Sequence, residues 1–393
     1  MNRIRIGLCS RRRLVTGVLL GSVCVLASTA RAHAATVEWQ LPIAPTHAVQ
    51  TIAQDRAGIS RGRTLPAPEV LQPTLDPALP RFKPRYGRSL HGTLRLMCSD
   101  TMPGLVRDWI ESFARFYPHV HIVLRPPYEG DDAAQALRRG RVDIAFVSRE
   151  LRPVDVAAFR DKYGYRPTSV PVSGGSWRQF GYDDAMAIIV NPRNPLKRLT
   201  LKQLDAVFSR SHLRGDRAAR TWGDLGVRGA WAPRPIHVYG IRSWNGFEEF
   251  VRQRVLDFRG ERGHWTRGMH LSGTVFPIAK HVAADPEGIG YTGLAFLDAG
   301  VKVLALGHGE QALSPTYTNV ALARYPLSRV LYANINLRPG KRPPPVLGEF
   351  LRLILSRQGQ NDVRHEAVFL PLRAYQVRTA RRIARLQQAG AHR

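Results

Sequence analysis

Three short stretches of this chain could bind an anion, because each places hydroxyl, amide or guanidinium groups near the predicted start of a helix. The residues concerned are Ser99, Asp100 and Thr101 in the first stretch, Ser148 and Arg149 in the second, and Arg242, Asn245 and Gly246 in the third. Helix N-termini carry a partial positive charge and unpaired N–H donors, which favour oxyanions. Arg adds a fork of donors that suits phosphate or sulfate. Each stretch alone is more typical of a helix cap, whereas the three together favour a shared anion site.

Few features of the sequence suggest catalysis or cofactor binding. It contains no GxSxG, HExxH or Walker A pattern, and its 13 histidines show no spacing typical of metal ligands. The stretch GIGYTG at 288–293 matches GxGxxG, but it lacks a clear strand before it within a βαβ unit and a clear helix after it. We interpret it as a Gly-rich turn leading into a strand. We therefore expect no enzyme activity, no cofactor and no metal.

The three stretches are predicted to lie among strands and helices that alternate along the chain. TLRLMCS, VDIAFVS and PIHVYGI have the composition of strands and end at the three stretches. Leu105, Trp109, Phe113 and Phe116 recur at helical spacing after Pro103, which suits a first helical turn. This order predicts an α/β fold with mainly parallel sheets, in which ligands bind at the carboxyl ends of strands.

The length and the charge of the chain limit the classes of protein to which it can belong. It has 393 residues, enough for two lobes with their own cores, and 44% of the residues are hydrophobic. The net charge is +28, and the 58 Lys and Arg residues are spread along the sequence. Because no helix-turn-helix, zinc-finger or RNP-type pattern accompanies this charge, we expect no nucleic-acid partner. A basic surface also favours anionic ligands and anionic membrane faces.

Residues 1–34 have the features of a secretory signal peptide. A basic start is followed by an apolar stretch from Leu14 to Leu26, and then by small residues that fit cleavage after Ala32 or Ala34. The apolar stretch is short for a membrane span, so we expect export to the periplasm without a stable membrane anchor. SRRRLV fits a twin-arginine export signal as well as an ordinary basic region, and both alternatives stay open.

Removal of this peptide would leave Cys98 as the single cysteine of the chain. No internal disulfide and no cysteine-based metal site are then expected. Cys98 ends an apolar strand pattern, which favours a buried structural thiol over a reactive one.

The two ends of the mature chain differ from its predicted body. Residues 35–90 are rich in Pro, Thr and Arg and show little periodicity, which predicts an extended arm or linker. The ordered body is then expected to begin near Gly92. Residues 381–393 are predicted to form a basic C-terminal tail.

A series of stretches runs through the chain from about residue 91 to 376. In order, they are SDTMPGLVRDWIESFARFYPHVHI, GRVDIAFVSREL, AIIVNPRNPLKRLTLKQLDAVF, TWGDLGVRGAW, IHVYGIRSWNGFEEF, VAADPEGIGYTGLAF, YPLSRVLYANIN and EFLRLILSRQGQ. Each is a weak signal by itself. Their order and spacing over most of the mature chain resemble the phosphate-binding proteins of bacterial ABC transporters, the PstS-like group.

The resemblance implies a two-lobed periplasmic-binding-protein fold of type II, the Venus flytrap arrangement. One lobe would comprise 91–186 plus 325–380 and the other 187–324, with crossings near DDAMAIIVN and ALARYPLSR as the hinge. Phosphate or a related oxyanion would be clamped between the lobes and delivered to a transporter permease. The resemblance also implies anion contacts at Thr101 and Ser148, with Arg149 beside Ser148.

Two loops depart from the family pattern. Glu129, Gly130 and Asp131 stand where the family has a GSG-like loop, and their carboxylates would oppose a bound phosphate. In the third stretch Arg242 lies about one position from its place in the family, and Phe247 lacks the hydroxyl found there. A literal SGT at 272–274 lies before another helix start, so we treat it as a different loop.

Because these two loops depart from the family pattern, the sequence is consistent with two functions. The first is an exported solute-binding protein that captures phosphate or a related oxyanion for an ABC uptake transporter. The second is an envelope interaction or sensory module that keeps the same fold but has lost tight phosphate binding.

Overall fold

The computed structural model describes residues 74–178, 182–243, 246–297, 300–366 and 368–386. The predicted signal peptide at 1–34, residues 35–73 of the predicted arm, residues 387–393 of the predicted tail, and Asn245 lie outside the described residues. Within the described ranges, no helix is both long enough and apolar enough to cross a bilayer.

Strands and helices alternate through most of the described chain. The strands are β1 Gly92–Cys98, β2 Val120–Leu124, β3 Ile144–Val147, β4 Thr168–Gly174, β5 Met186–Val190, β6 Arg198–Leu199, β7 His237–Ile241, β8 His270–Ser272, β9 Gly288–Gly293, β10 Lys302–Val303, β11 Ala305–Leu306 and β12 Val330–Ile335. The helices are α1 Pro103–Ala114, α2 Gly130–Arg139, α3 Pro153–Tyr163, α4 Leu201–Phe208, α5 Gly246–Val251, α6 Ile278–Ala284, α7 Tyr317–Ala321, α8 Pro345–Ile354, α9 Arg357–Glu366 and α10 Ala374–Ile383. Helix α5 continues into a π-helical segment, Arg252–Leu256.

Most of the strands belong to two five-stranded sheets. The first has the order β2-β1-β3-β12-β4 and the second the order β10-β5-β9-β7-β8. In the first sheet β1 is parallel to β2 and β3, while β12 is antiparallel to β3 and β4. In the second sheet β7 is parallel to β8 and β9, while β5 is antiparallel to β9 and β10. The predicted α/β fold with mainly parallel sheets is confirmed.

The reversed strand of each sheet follows a segment that crosses between the sheets. Strand β5 follows β4 of the first sheet in the chain, and residues 175–178 and 182–185 are the described part of the segment between them. Strand β12 begins after residues 322–329, which follow α7 beside the second sheet. Lobe 1 therefore comprises β1–β4, β12, α1–α3 and α8–α10, and lobe 2 comprises β5–β11 and α4–α7. Two crossing segments connect them.

The lobe 1 sheet has a core on each face. Leu96 and Cys98 of β1 are buried in one core with Trp109 and Phe113 of α1, and α8–α10 complete this core. Met97 lies between them in sequence and belongs to a smaller core with α2 and α3. Successive side chains of a strand point to opposite faces, which produces this division. Burial raises the pKa of the Cys98 thiol to about 12, in agreement with the predicted structural thiol.

The described part of the predicted arm packs on the larger core of lobe 1. Its buried apolar side chains are those of Leu79, Phe82 and Leu90. The ring of Phe82 meets that of Phe116 edge to face, with 5.0 Å between the centroids. Residues 384 and 386 at the other end of the chain are buried in the same core. The ordered body therefore begins before its predicted start at Gly92, and the first residues of the predicted tail belong to it.

The Gly-rich stretch at 288–293 is a central strand of lobe 2, so its interpretation as a turn is wrong. It forms β9, and all of its residues are buried. A Cβ at Gly290 would lie 2.9 Å from Cγ2 of Ile278 and 3.1 Å from Cγ2 of Val282. Helix α6 thus packs so closely on β9 that this position requires glycine.

Candidate ligand-binding cleft

The loops at the carboxyl ends of β1 and β3 meet, because these strands are parallel neighbours. The N–H of Ser99 donates to the carbonyl of Phe146 at 2.9 Å. The N–H of Ser148 donates to Ser99 Oγ at 3.2 Å. Gly130, the first residue of α2, packs on the same hydroxyl, since a Cβ there would lie 2.8 Å from Ser99 Oγ. Ser99 is buried and holds three loops of lobe 1 together.

A chain of hydrogen bonds connects Thr101 of lobe 1 to Gly246 of lobe 2. Thr101 does not cap α1, because Met102 is the N-cap residue and no side chain bonds to the first turn. Its hydroxyl donates to Oδ2 of Asp183 at 2.6 Å. Nη1 of Arg329 donates to Oδ1 of Asp183 at 3.0 Å, and Nη2 donates to the carbonyl of Gly246 at 3.5 Å. We call Thr101, Asp183, Arg329 and Gly246 the hinge network, since Asp183 and Arg329 lie in the two crossing segments.

Arg329 is the cation of the hinge network. Its side chain is 3% exposed and that of Asp183 is 8% exposed. The guanidinium carbon lies 4.9 Å from the ring centroid of Phe247 and 4.7 Å from that of Phe250. Among the described residues, the Nε of Arg329 has no hydrogen-bond partner. A buried guanidinium with an unused N–H donor is chemically suited to bind an anion.

A second buried carboxylate, Asp184, follows Asp183 in the same crossing segment. Its Oδ2 accepts a hydrogen bond from the N–H of Ala295 at 2.8 Å, while its Oδ1 has no partner in the part of the chain that the structure describes. Burial raises the pKa of Asp184 to about 8, and the charge of Asp183 acts in the same direction; the Ala295 N–H and Arg329 oppose the rise. Asp184 is therefore mainly protonated and uncharged at neutral pH. The positive charge of Arg329 then balances the negative charge of Asp183 alone.

A cleft of about 440 Å³ lies between the two lobes and shares Gly246 with the hinge network. Its charged and polar lining comprises Asp131, Arg149 and Arg152 from lobe 1, and Ser243, Glu248, Glu249, Arg252 and Arg262 from lobe 2. Four arginines thus face three carboxylates, which gives the lining a net positive charge. Such a lining attracts anions.

The acidic loop of lobe 1 is neutralised within the cleft. Asp131 forms an ion pair with Arg149 and a second one with Arg152, whose Nη1 lies 2.7 Å from Oδ2 of Asp131. The pKa of Glu129 is raised, first by burial and then by Asp100 and neighbouring carboxylates. The loop that was expected to repel phosphate therefore carries its own counter-ions at Asp131.

The arginines of lobe 2 also have carboxylate partners. Nη2 of Arg262 lies 2.5 Å from Oε2 of Glu249, and Arg252 pairs with the buried Glu248. Glu249 holds the pKa of Arg262 well above its usual range through this hydrogen bond. An anion that enters the cleft would share these guanidinium donors with carboxylates already present.

A direct ion pair joins the lobes beside the cleft. Nη2 of Arg254, in the segment after α5, lies 2.6 Å from Oε1 of Glu150 in lobe 1. The hydroxyl of Tyr332 donates to the same oxygen at 2.9 Å. Movement of the lobes away from each other would have to break the contact between Arg254 and Glu150.

Comparison with known proteins places this architecture in a family. Residues 84–358 match the family described as the PBP superfamily domain. The phosphate-binding protein PstS of Pseudomonas aeruginosa is 35% identical over 303 residues, which cover 76% of this chain and 88% of that protein. The chain belongs to the PstS-like family of phosphate-binding proteins. The resemblance predicted from the sequence is thereby confirmed.

Two further relatives of the PstS-like family are more distant. Protein SphX of Synechococcus elongatus is 26% identical over 247 residues, covering 62% of this chain and 67% of that protein. The crystal structure of PstS from Borrelia burgdorferi covers 72% of this chain and 99% of its own, at 16% identity and a TM-score of 0.50. This likeness supports the two-lobed periplasmic-binding-protein fold.

Three of the residues nominated for a PstS-like site lie at the junction of the lobes, namely Thr101, Arg149 and Gly246. Ser99 and Ser148 are buried in lobe 1, where they bond to each other. Asp100 is exposed in the same turn as Thr101. Arg242 is exposed and does not line the cleft; it is the first residue after β7, and Ser243 is the residue of this turn that lines the cleft. Asn245 lies outside the described residues.

Sequence reasoning missed Asp183 and Arg329 as site residues. Both lie in the stretches DDAMAIIVN and ALARYPLSR, which were assigned to the hinge. The signal that could have found them is charge, because an acidic pair in one crossing and an Arg in the other require partners when the crossings are buried. In this PstS-like protein, Arg329 and not Arg242 is the arginine that the structure places in the hinge network.

Replacing Gly130 with alanine is expected to destabilise the protein by about 1–3 kcal/mol through overpacking. The new Cβ would lie 2.8 Å from Ser99 Oγ and 3.2 Å from Cγ1 of Val147. Urea unfolding measures the free energy of unfolding. Gly273→Ala is the matched control, since no atom lies within 4 Å of its added Cβ. Equal stability of the two variants would contradict the packing of Gly130 on Ser99.

Proposed function

We propose that this protein is an exported solute-binding protein that captures phosphate or a related oxyanion between lobe 1 and lobe 2 for the permease of an ABC uptake transporter. Its similarity to the phosphate-binding protein of P. aeruginosa supports the proposal. Residues 1–34 would direct export to the periplasm, and the mature protein would act without catalysis. The segments 91–186 plus 325–380 and 187–324 would move as units about the two crossings.

The hinge network is the observation that carries the proposal. It connects Thr101 at the start of a lobe 1 helix with Gly246 at the start of a lobe 2 helix, through the buried Arg329. An anion bound at this place would contact groups from both lobes. Its binding free energy would then favour the closed arrangement over an open one, as capture requires.

The donors of the network also suggest which oxyanion binds best. Arg329 offers an Nε–H that has no acceptor among the described residues. The Thr101 hydroxyl now donates to Asp183 and would have to turn from that carboxylate to donate to a ligand. Asp183, when ionised, can only accept hydrogen bonds. A ligand beside Asp183 is therefore favoured if it carries a proton of its own. Phosphate carries one at neutral pH and sulfate does not, so we infer a preference for phosphate.

Calorimetry on the purified mature chain tests the proposal. Phosphate is expected to bind at micromolar concentration or below with one site per chain, and sulfate is expected to bind at least tenfold more weakly. The absence of heat with phosphate, sulfate and other oxyanions would reject an oxyanion-binding function.

Replacing Thr101 with valine is expected to weaken phosphate binding about tenfold or more, because a hydrogen bond to a charged group contributes about 1.5–3 kcal/mol. Calorimetry with phosphate measures the change in Kd. Thr93→Val is the control, because Thr93 is exposed at the start of β1, away from the carboxyl end of that strand. If both variants bind phosphate like the wild type, Thr101 is not a ligand contact.

A second candidate function is an envelope interaction or sensory module that keeps the fold without tight phosphate binding. The pairing of Asp131 with Arg149 and Arg152 favours it, because these carboxylate contacts compete with a ligand. A deletion strain with normal growth at limiting phosphate, together with Kd values above the millimolar range, would support this module. A phosphate-sensitive phenotype would contradict it.

A further inference from the structure

A cluster of metal-binding side chains lies at the end of lobe 2 that is remote from the cleft. His237 is the first residue of β7, whereas the cleft lies beyond the other end of this strand. Asp285 and Glu287 lie in the turn between α6 and β9. Because β7 and β9 are parallel and His237 pairs with Gly288, the turn comes to lie beside His237. One ligand atom from each of the three side chains lies within 4.8 Å of the others.

The Asp285 carboxylate is held in a fixed orientation by its neighbours. Its Oδ1 accepts the N–H of Glu287 at 3.0 Å, which stabilises the turn. Its Oδ2 lies 2.8 Å from Nδ1 of His237 and accepts the hydroxyl of Tyr239 at 2.8 Å. A carboxylate that is oriented by a hydrogen bond from outside the ligand set is a common arrangement around protein-bound metals. All three ligand side chains are half-buried, so an ion can reach them from solvent.

Two further histidines flank this cluster. The ring of His270 stacks on that of Tyr239 with 4.9 Å between the centroids, and His281 lies 6.0 Å from the same ring. The rings of His237 and His270 are 6.5 Å apart. Strands β7 and β8 and helix α6 therefore concentrate three imidazoles on one surface of lobe 2.

The positive charge of Arg234 would oppose a bound metal ion. Nη1 of Arg234 lies 3.2 Å from Oε1 of Glu287. The Arg234 side chain is 41% exposed, and its guanidinium also lies over the ring of Trp231 at 4.4 Å from the centroid. The guanidinium can therefore stay on Trp231 while Glu287 turns to a metal ion. With His237 neutral, the two carboxylates and Arg234 give the site a net charge of −1.

We propose that His237, Asp285 and Glu287 bind a divalent first-row transition metal ion, with Zn²⁺ as the best match. One imidazole and two carboxylates form a mixed N/O ligand set, which Zn²⁺ accepts in tetrahedral geometry with water at the fourth position. Ca²⁺ and Mg²⁺ prefer oxygen ligands alone and a higher coordination number. Sequence spacing did not reveal the site, because the pairing of β7 with β9 brings together residues about 50 positions apart.

Zinc titration of the full mature chain tests this site independently of the proposed oxyanion function. Calorimetry with ZnCl₂ in phosphate-free buffer is expected to show one site with micromolar Kd, and a tenfold excess of Mg²⁺ is expected to leave it unchanged. His237→Ala and Glu287→Gln are each expected to weaken Zn²⁺ binding tenfold or more, while the control His121→Ala, an exposed histidine on β2, has no effect. Phosphate binding should be the same in all these variants.

Three outcomes of the titration would overturn the proposal. They are no Zn²⁺ binding, binding that survives both substitutions, and binding that His121→Ala removes. Far-UV circular dichroism of each variant checks folding. Glu287→Gln keeps the test valid if His237→Ala does not fold, because the glutamine side chain preserves the size of the glutamate while losing its charge.

Discussion

Replacing Arg329 with methionine is expected to destabilise the protein by about 3–5 kcal/mol, because the substitution leaves the buried carboxylate of Asp183 without its counter-ion. The Arg329 side chain is 3% exposed and that of Asp183 is 8% exposed, so water cannot solvate the remaining charge without local opening. Methionine keeps part of the packing on the rings of Phe247 and Phe250. Urea unfolding followed by circular dichroism measures the free energy of unfolding.

The double variant Arg329→Met with Asp183→Asn is the matched control. It removes both charges, and replacement of a whole buried pair commonly costs far less than removal of one partner. The double variant is therefore expected to recover most of the stability that Arg329→Met loses. A single variant within about 1 kcal/mol of the wild type, or a double variant no more stable than the single one, would show that this pair is not a buried unit.

The part of the site that the sequence could predict is the part built from local patterns. Strand β1 and helix α1 follow from apolar periodicity, and their order places Thr101 at the carboxyl end of a parallel strand. The same reasoning places Ser148 and Arg149 beside it, because β3 is the next parallel strand of the sheet. Neighbouring parallel strands bring their following loops together whatever the details of the side chains.

The hinge network could not be predicted in this way, because its members are distant in sequence. Asp183 and Arg329 are 146 positions apart and meet only when both crossings are formed. The sequence also does not show where β7 ends, and a shift of one residue decides that Ser243 and not Arg242 lines the cleft. The packing of Phe82 on Phe116 likewise comes from tertiary contact within a stretch that has no periodicity. Local patterns thus predict the elements and omit the contacts that connect the lobes.

The free energy of unfolding is expected to fall as the pH rises from about 4 to 8, because of Asp184. Burial raises the pKa of this carboxyl group from an ordinary value of 3.8 to about 8. In this range the folded protein keeps a proton on Asp184 that the unfolded chain has released. Stability therefore decreases as pH rises, and the change stops above the folded pKa. The limiting slope from one such group is about 1.4 kcal/mol per pH unit.

Urea unfolding of wild type and Asp184→Asn at pH 6.5 and pH 8 measures this effect. Asparagine resembles the protonated carboxyl group and can still accept the N–H of Ala295, which now donates to Oδ2 at 2.8 Å. The wild type is expected to lose about 1–2 kcal/mol between these pH values, whereas Asp184→Asn is expected to lose much less. Parallel pH profiles of the two proteins would contradict a buried, protonated Asp184.

Asp362 provides the control for this pH dependence, because burial raises its pKa to about 6. Its contribution has the same sign but ends at a lower pH, so Asp362→Asn should change the profile of stability against pH mainly below pH 6.

Of the two carboxyl groups, Asp184 is the one that borders the hinge network, where the charges of Arg329 and Asp183 both act on its pKa. When Asp184 ionises near pH 8, two carboxylates compete for one buried guanidinium. The anion that the lobes are proposed to capture would then meet a less favourable site, so phosphate affinity should fall over the same pH range in the wild type and not in Asp184→Asn.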